Sequence, residues 1–343
     1  MENIFRNKNI LVTGGVGSVG SEIVRQLVKY SPATVRVFDH NEQRLFEIQS
    51  LFPHQKIIRP FLGDVRDIER LRKAMTDADI VFHAAALKHV EISEYNPFES
   101  VKTNISGTQN VIDAALAEVV DRVVVISTDK AVNPVSTMGA TKLVSEKLTV
   151  AAYYHKGTKK TKFGVVRFGN VIVSSGSVIP TWIDQIKKGG PLTITDTEMT
   201  RFMMSSQQAV TLVFEAATKM RDGEIFILKM PALRMTDLAE VLIESLAPLF
   251  GFQPQEIKLQ TIGMRAGEKL HEELVTKEEA YNLYETKSMF VVVPKKEIVN
   301  LKMKTIRYWS KKVALLTEYS SRVQKPLTKR QIKAMLKQAG VLF

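Results

Sequence analysis

Residues 127–142 read STDKAVNPVSTMGATK and bring together side chains suited to proton chemistry. A hydroxyl, Thr128, a carboxylic acid, Asp129, and an amine, Lys130, follow directly on the apolar run VVVIS. An acid beside an amine can hand protons to and from a substrate when their surroundings move both pKa values toward neutrality. A lysine ordinarily titrates near ~10.4, so Lys130 can act as a base only where it is desolvated or set beside other cations. Met138 stands one helical turn before Lys142, and the two side chains should face the same way. A methionine accepts no proton, so a reaction at this place must find its bases elsewhere in the group. Taken alone, Asp129 and Lys130 would be an ordinary surface ion pair, and it is the surrounding elements that give them weight.

Those elements alternate. Strand candidates at Asn9–Thr13, Thr34–Phe38, Lys56–Leu62, Ile80–Ala84, Arg122–Ser127 and Phe163–Arg167 interleave with helical periodicity over Val19–Lys29, Ile68–Ala74, Asn104–Ala117 and Ser136–Ala152. Repeated strand-helix units predict an α/β fold with a doubly wound parallel sheet, and place Thr128, Asp129 and Lys130 at the carboxyl edge of the fifth strand, where ligands of such folds bind. Residues 1–172 read as this unit. After Asn170 the rhythm changes to loops, short strands and isolated helices, so 173–343 reads mainly as a smaller, interleaved substrate-binding domain, with about 205–230 returning to the first. The stretch LTKRQIKAMLKQAG predicts a terminal helix with Thr328 as N-cap and Gly340 as its stop.

A second group fits a phosphate-bearing ligand. In NILVTGGVGSVGSEIVRQL, Gly14, Gly17 and Gly20, with Ser18 and Val19 among them, lie between a strand and a helix. Glycines there permit a tight turn and let a pyrophosphate approach the free N–H groups of a helix N-terminus. Asp39 ends the next strand, 19 residues beyond Gly20. A carboxylate at that place accepts hydrogen bonds from adenosine ribose hydroxyls and repels a 2′-phosphate, which favours NAD over NADP; the nearby Arg44 keeps NADP open. Asp64 and Val65 in GDVRD follow the third strand, where Asp64 either meets the adenine or serves as a turn residue. Ala84, Ala85 and Ala86 follow the fourth, with side chains small enough to let a dinucleotide cross the sheet edge.

Composition narrows the remaining classes. With 343 residues, 45% of them hydrophobic, the chain can bury a sizeable core as one large domain or two unequal ones. It has no cysteine, and its six histidines show no ligand spacing, which argues against a metal centre and excludes disulfides. No apolar run reaches the roughly 18 residues that span a bilayer, and the N-terminus lacks a signal-peptide core, so the chain reads as cytoplasmic. The net charge of +12 arises wholly from residues 287–343, which hold 14 Lys/Arg against Glu297 and Glu318. A balanced main body makes nucleic acid an unlikely partner, and the partner of the basic tail is left open.

The segments TGGVGSVGSE, HAAALKHVEISEYNPFESVKTNISGT, STDKAVNPVSTMGATK, VRFGNV, GSVIP, MTRFMM and RAGEKLHEEL run in order from about residue 8 to 275, and EYSS near 318 extends them. Together they resemble the extended short-chain dehydrogenase/reductase family, with its Rossmann-type fold, and within it the UDP-N-acetylglucosamine 4,6-dehydratases. The resemblance implies oxidation of the sugar at C4 by NAD, loss of the C5 proton and C6 hydroxyl as water, and return of the hydride to C6. It implies Asp129 as acid, Lys130 as C5 base, and Lys142 holding the nicotinamide ribose. Its substrate positions fall on Lys88, Asn170, Arg201, Arg265 and Glu268, with the arginines suited to the diphosphate. In this subgroup inverting members generally carry tyrosine where this chain has Met138, so the resemblance implies retention at C5. Many retaining members also carry N-terminal membrane helices, which are not read here. The C4 hydroxyl proton then passes to Asp129 assisted by Thr128, or through a water relay to Lys142. An inverting dehydratase/5-epimerase is the nearest alternative, and a catalytically silent NAD-binding scaffold with a polyanion-binding tail is the alternative of another class. Relatives associate, so a homo-oligomer is expected.

Overall fold

The central apolar runs ILVT, IVFH and VVVIS are strands whose two faces are both covered, which is why they read as unbroken rather than as alternating patterns, whereas IRPFL at the sheet edge is largely exposed. The computed structural model describes residues 3–52, 56–172, 176–294, 311–313 and 318–342. Ten strands join in one sheet: β1 (Asn9–Thr13), β2 (Thr34–Asp39), β3 (Ile58–Leu62), β4 (Ile80–His83), β5 (Arg122–Thr128), β6 (Lys162–Phe168), β7 (Glu224–Leu228), β8 (Leu283–Glu285), β9 (Met289–Val292) and β10 (Lys311–Lys312). Their spatial order is β10-β8-β9-β7-β6-β5-β4-β1-β2-β3. The seven from β7 to β3 run parallel, and β9, β8 and β10 add antiparallel to the β7 edge. This is the Rossmann-like α/β fold expected. Strand order reverses between β1 and β4, and the crevice of such a sheet opens there, beyond the carboxyl ends.

Helices α1 (Ser18–Leu27), α2 (Glu42–Ser50), α3 (Ile68–Met75), α4 (Gly107–Ala117), α5 (Thr137–His155) and α6 (Ser206–Lys219) connect and cover these strands. Four of them follow the periodicity. The periodicity misses α2, because it buries only Leu45 and Ile48 and depends on an Asn41 cap that accepts from the Arg44 amide. Helix α5 begins at a Ser136 cap, whose hydroxyl accepts from the Gly139 amide, and this sets Met138 and Lys142 on the turns nearest β5.

Beyond Asn170 a second apolar cluster forms around Ile179, Trp182, Ile186, Leu192, Leu238 and Leu242. The C-terminal helix Lys329–Gln338 packs Ile332 and Leu336 into it, with Thr328 as its cap and Gly340, at φ +72°, beyond its end. A three-stranded sheet of Asn170–Val171, Thr200–Met204 and Ala232–Arg234 joins the two clusters. Much of the basic tail, residues 295–310 and 314–317, lies outside the described residues. No helix among the described residues is long and apolar enough to cross a membrane.

Candidate functional site

A cavity of about 730 Å³ lies over the carboxyl ends of β1, β2, β4 and β5, and its wall holds every dinucleotide-contact residue expected from sequence: Gly14, Gly17, Ser18, Val19, Gly20, Asp39, Arg44, Asp64, Val65, Ala84, Ala85, Ala86 and Lys142. The glycine turn is a tight cradle. A Cβ on Gly20 would lie 2.1 Å from the Gly14 carbonyl oxygen, and one on Gly14, which sits at φ +64°, would lie 2.5 Å from the Ala85 amide nitrogen. The turn therefore packs against the end of β4 and aims the N-terminus of α1 into the cavity, an arrangement that suits an anion. Asp39 is 7% exposed, and its carboxylate accepts from the amides of Val16 and Asn41 at 3.3 and 3.1 Å. Asp64 lines the cavity and also closes a turn, accepting from the Arg66 amide at 2.9 Å and from its guanidinium at 2.7 Å. Burial opposes its ionisation, but Arg66 prevails and holds it below the usual carboxylate range. These residues fit a dinucleotide.

The proton-carrying group lies at the end of β5, against the same cavity. Thr128, Lys130, Met138 and Lys142 line it, as do Lys88 and Asn170. Asp129 does not. Its carboxyl is fully buried: Oδ1 accepts from Thr128 Oγ1 at 2.8 Å and from Lys130 Nζ at 3.0 Å, while Oδ2 has no partner. A Cβ on Gly169 would come within 3.1 Å of that Oδ2, so the unpaired oxygen faces the Gly169 backbone. Burial raises the Asp129 pKa against the pull of Lys130.

Lys130 departs from the neutral base expected. Burial favours losing its proton, but the attraction of Asp129 and then of Glu272 outweighs it and raises its pKa. Lys142 is the lysine that burial depresses, to about 8, with its Nζ donating to the Ile126 carbonyl at 2.6 Å. The histidine at the end of β4, His83, is held between Thr13 and Thr108 and pushed down to about 3, first by burial and then by Lys142, which makes it a neutral structural member.

The remaining candidates scatter. Arg201 is buried behind the cavity wall, 3.5 Å from Glu268 and 3.9 Å from Glu272. Glu268 also accepts from the Arg265 amide, whereas the Arg265 side chain turns away to pair with Glu91 at 3.0 Å; neither lines the cavity. Sequence reasoning missed Glu272, an acid only 2% exposed and 3.4 Å from Lys130 Nζ. Its signal was a pair of adjacent acids, Glu272 and Glu273, directly before the apolar Leu274 and Val275 in HEELV.

A family model described as polysaccharide biosynthesis protein matches residues 10–294. The chain belongs to this family. An uncharacterized membrane protein, MJ1061, of Methanocaldococcus jannaschii is 52% identical, covering 100% of this chain and 99% of its own. A Campylobacter jejuni protein named UDP-N-acetylglucosamine 4,6-dehydratase (inverting) is 45% identical over 87% of this chain and 86% of its own. Among solved structures, Pen from Bacillus thuringiensis is 41% identical with a TM-score of 0.89, covering 97% of this chain and 98% of Pen. DesIV of Streptomyces venezuelae, a dTDP-glucose 4,6-dehydratase with NAD and TYD bound, is 25% identical with a TM-score of 0.67, covering 76% and 86%. Within the polysaccharide biosynthesis family, this chain thus pairs a dinucleotide cradle with a buried acid-amine cluster at one sheet edge.

Proposed function

We propose that the chain is an NAD-dependent 4,6-dehydratase of UDP-N-acetylglucosamine that inverts C5. The observation carrying this is that Thr128 and Lys130 open into the same cavity as the glycine cradle, Asp39 and Lys142. The substrate and the stereochemistry rest on the Campylobacter jejuni relative. The expectation of retention rests on Met138 alone. A thioether carries no proton, so it does not choose the face on which C5 is reprotonated. The likeness, over 87% of the chain, to a protein named as inverting therefore weighs more.

Bound NAD would supply reversible oxidation at C4, which acidifies the C5 hydrogen. Thr128 Oγ1, on the cavity wall, accepts the C4 hydroxyl proton while passing its own to Asp129 Oδ1 at 2.8 Å. Asp129, with its raised pKa, holds that proton and later returns it through Thr128 to the departing C6 hydroxyl. Lys130, on the cavity wall, first passes its ammonium proton to water in the cavity, then takes the C5 proton as a neutral amine, and inversion follows when a solvent proton reaches the opposite face of C5. Lys142 binds the nicotinamide ribose, Lys88 and Asn170 meet the sugar and its diphosphate, and the second apolar cluster carries the nucleotide-binding part. Met138 gives the sugar an apolar wall.

The test is to incubate the protein with UDP-N-acetylglucosamine in D₂O and read the sugar ring couplings by NMR. An L-arabino 4-keto-6-deoxy product with deuterium at C5 is expected. A gluco product would return the retaining assignment. No turnover would overturn the dehydratase reading.

A further inference from the structure

Glu272 stands outside the cavity wall, yet it is tied to the amine that lines it. It is 2% exposed; its Oε1 lies 3.4 Å from Lys130 Nζ and 3.9 Å from Arg201 Nε, and its Oε2 has no hydrogen-bond partner. Its backbone is pinned by Ser321, which accepts from the Glu272 amide at 2.9 Å and donates its own amide to the Glu272 carbonyl at 2.8 Å. Lys130 Nζ is thus held between two buried carboxylates, with Asp129 Oδ1 at 3.0 Å on the other side. The other groups facing this pair are the Asn170 amide oxygen, 3.4 Å from Nζ, and the cations of Arg201 and Lys269. A buried carboxylate with one oxygen unpaired is costly unless a neighbouring charge needs it. One carboxylate, Asp129, already satisfies the amine, so the second adds chiefly electrostatic bias.

We propose that Glu272 is a positioning residue that fixes Lys130 Nζ at the cavity wall and sets the pH range over which Lys130 releases and regains a proton. What that proton does rests on the dehydratase reading; the tie between Glu272 and Lys130 does not. Glu272 also raises the Asp129 pKa by like-charge repulsion. Removing its charge therefore shifts both partners the same way: Lys130 loses an attracting anion and Asp129 loses a repelling one. Both limbs of the pH-rate profile move to lower pH. A residue that merely held the fold together would lower the rate and leave the limbs in place.

The experiment labels the holoenzyme with ε-¹³C lysine and follows the Lys130 resonance against pH by NMR, assigning it by its loss in Lys130→Arg. In Glu272→Gln the Lys130 midpoint should fall by about 1–3 pH units, the range an opposite charge at this distance commands. Glu272→Asp keeps the charge and its Arg201 partner, stands in where the glutamine variant does not fold, and should give a smaller fall. An unmoved midpoint in the folded variants overturns the proposal. Parallel pH-rate profiles with UDP-N-acetylglucosamine should show both limbs displaced downward; fixed limbs with a moved midpoint would defeat the base role given to Lys130 in the dehydratase reading and would support the tie to Glu272. A wild-type protein that fails to turn over this substrate defeats the dehydratase reading, while the lysine titration still decides the role of Glu272.

Discussion

Lys142 should destabilise the folded protein that carries it, and Lys142→Met should show this as a stability difference that changes sign with pH. Burial moves Lys142 from 10.5 to about 8 against the pull of Glu146. At about 1.36 kcal/mol per pKa unit, holding it charged costs about 3 kcal/mol relative to the unfolded chain. Below about pH 8 the amine is protonated in both states and the full cost is present. Between about 8 and 10.5 the unfolded chain binds the extra proton, so wild-type stability rises with pH and the cost is removed. Methionine has no such term, but it leaves the Ile126 carbonyl without its 2.6 Å donor, which costs about 1–2 kcal/mol at every pH. The variant should therefore be more stable than wild type by about 1–2 kcal/mol near pH 7 and less stable by up to about 1 kcal/mol near pH 10. Urea denaturation of both cofactor-free proteins at the two pH values measures the difference, in which the titrations common to both cancel. A difference that stays constant across this range would refute the assignment of a depressed, buried amine. The variant should also lose NAD affinity, since the same amine is the proposed ribose contact.

Two substitutions test the frame around the site. Gly20→Ala puts a methyl 2.1 Å from the Gly14 carbonyl oxygen, so the turn must move, and dinucleotide affinity, read by NADH fluorescence, should fall by about tenfold or more; Gly17→Ala, whose nearest contact is 3.2 Å, should lose less. Arg167→Met leaves the buried carboxylates of Glu146 and Glu279, bonded to Arg167 at 2.6 and 2.8 Å, without a counter-charge. It should lower urea stability by about 3–5 kcal/mol near neutral pH. Part should return as pH falls toward about 5, because carboxylates raised above their unfolded values then take up protons in the folded state.

The sheet and the dinucleotide cradle were legible because each depends on neighbours close in sequence. A strand buried on both faces shows as an unbroken apolar run, and Gly14, Gly17 and Gly20 lie on one turn whose spacing carries its geometry. Helix α2 was not, since two buried side chains in nine residues leave almost no periodicity. The acid-base cluster was half legible. Thr128, Asp129 and Lys130 are adjacent, but Glu272 lies more than a hundred residues further on, beside the strand Glu273–Val275 that pairs with Tyr319–Ser320, and only the tertiary fold brings it to Lys130. Arg265 shows the converse: the motif suggests a substrate contact, while its guanidinium pairs with Glu91 at the surface, a contact the sequence does not reveal.

Met138 and Asp129 are two sides of one arrangement. The methionine is 4% exposed and lines the cavity one turn before Lys142, so the helix contributes a cation but no proton acceptor there. The carboxyl that would replace an acceptor is withdrawn behind Thr128 and Lys130, with no surface of its own. In the proposed reaction every proton reaching Asp129 must therefore cross the Thr128 hydroxyl or the Lys130 amine. This couples steps that separate acids would keep apart: while Asp129 holds the C4 proton, its negative charge no longer stabilises the Lys130 ammonium, and Lys130 becomes the better base at the stage when C5 must be deprotonated. Returning the proton to the C6 oxygen restores the carboxylate and with it the ammonium. A solvent-exposed aspartate could exchange its proton with water at either stage, so burying Asp129 is what makes that coupling available.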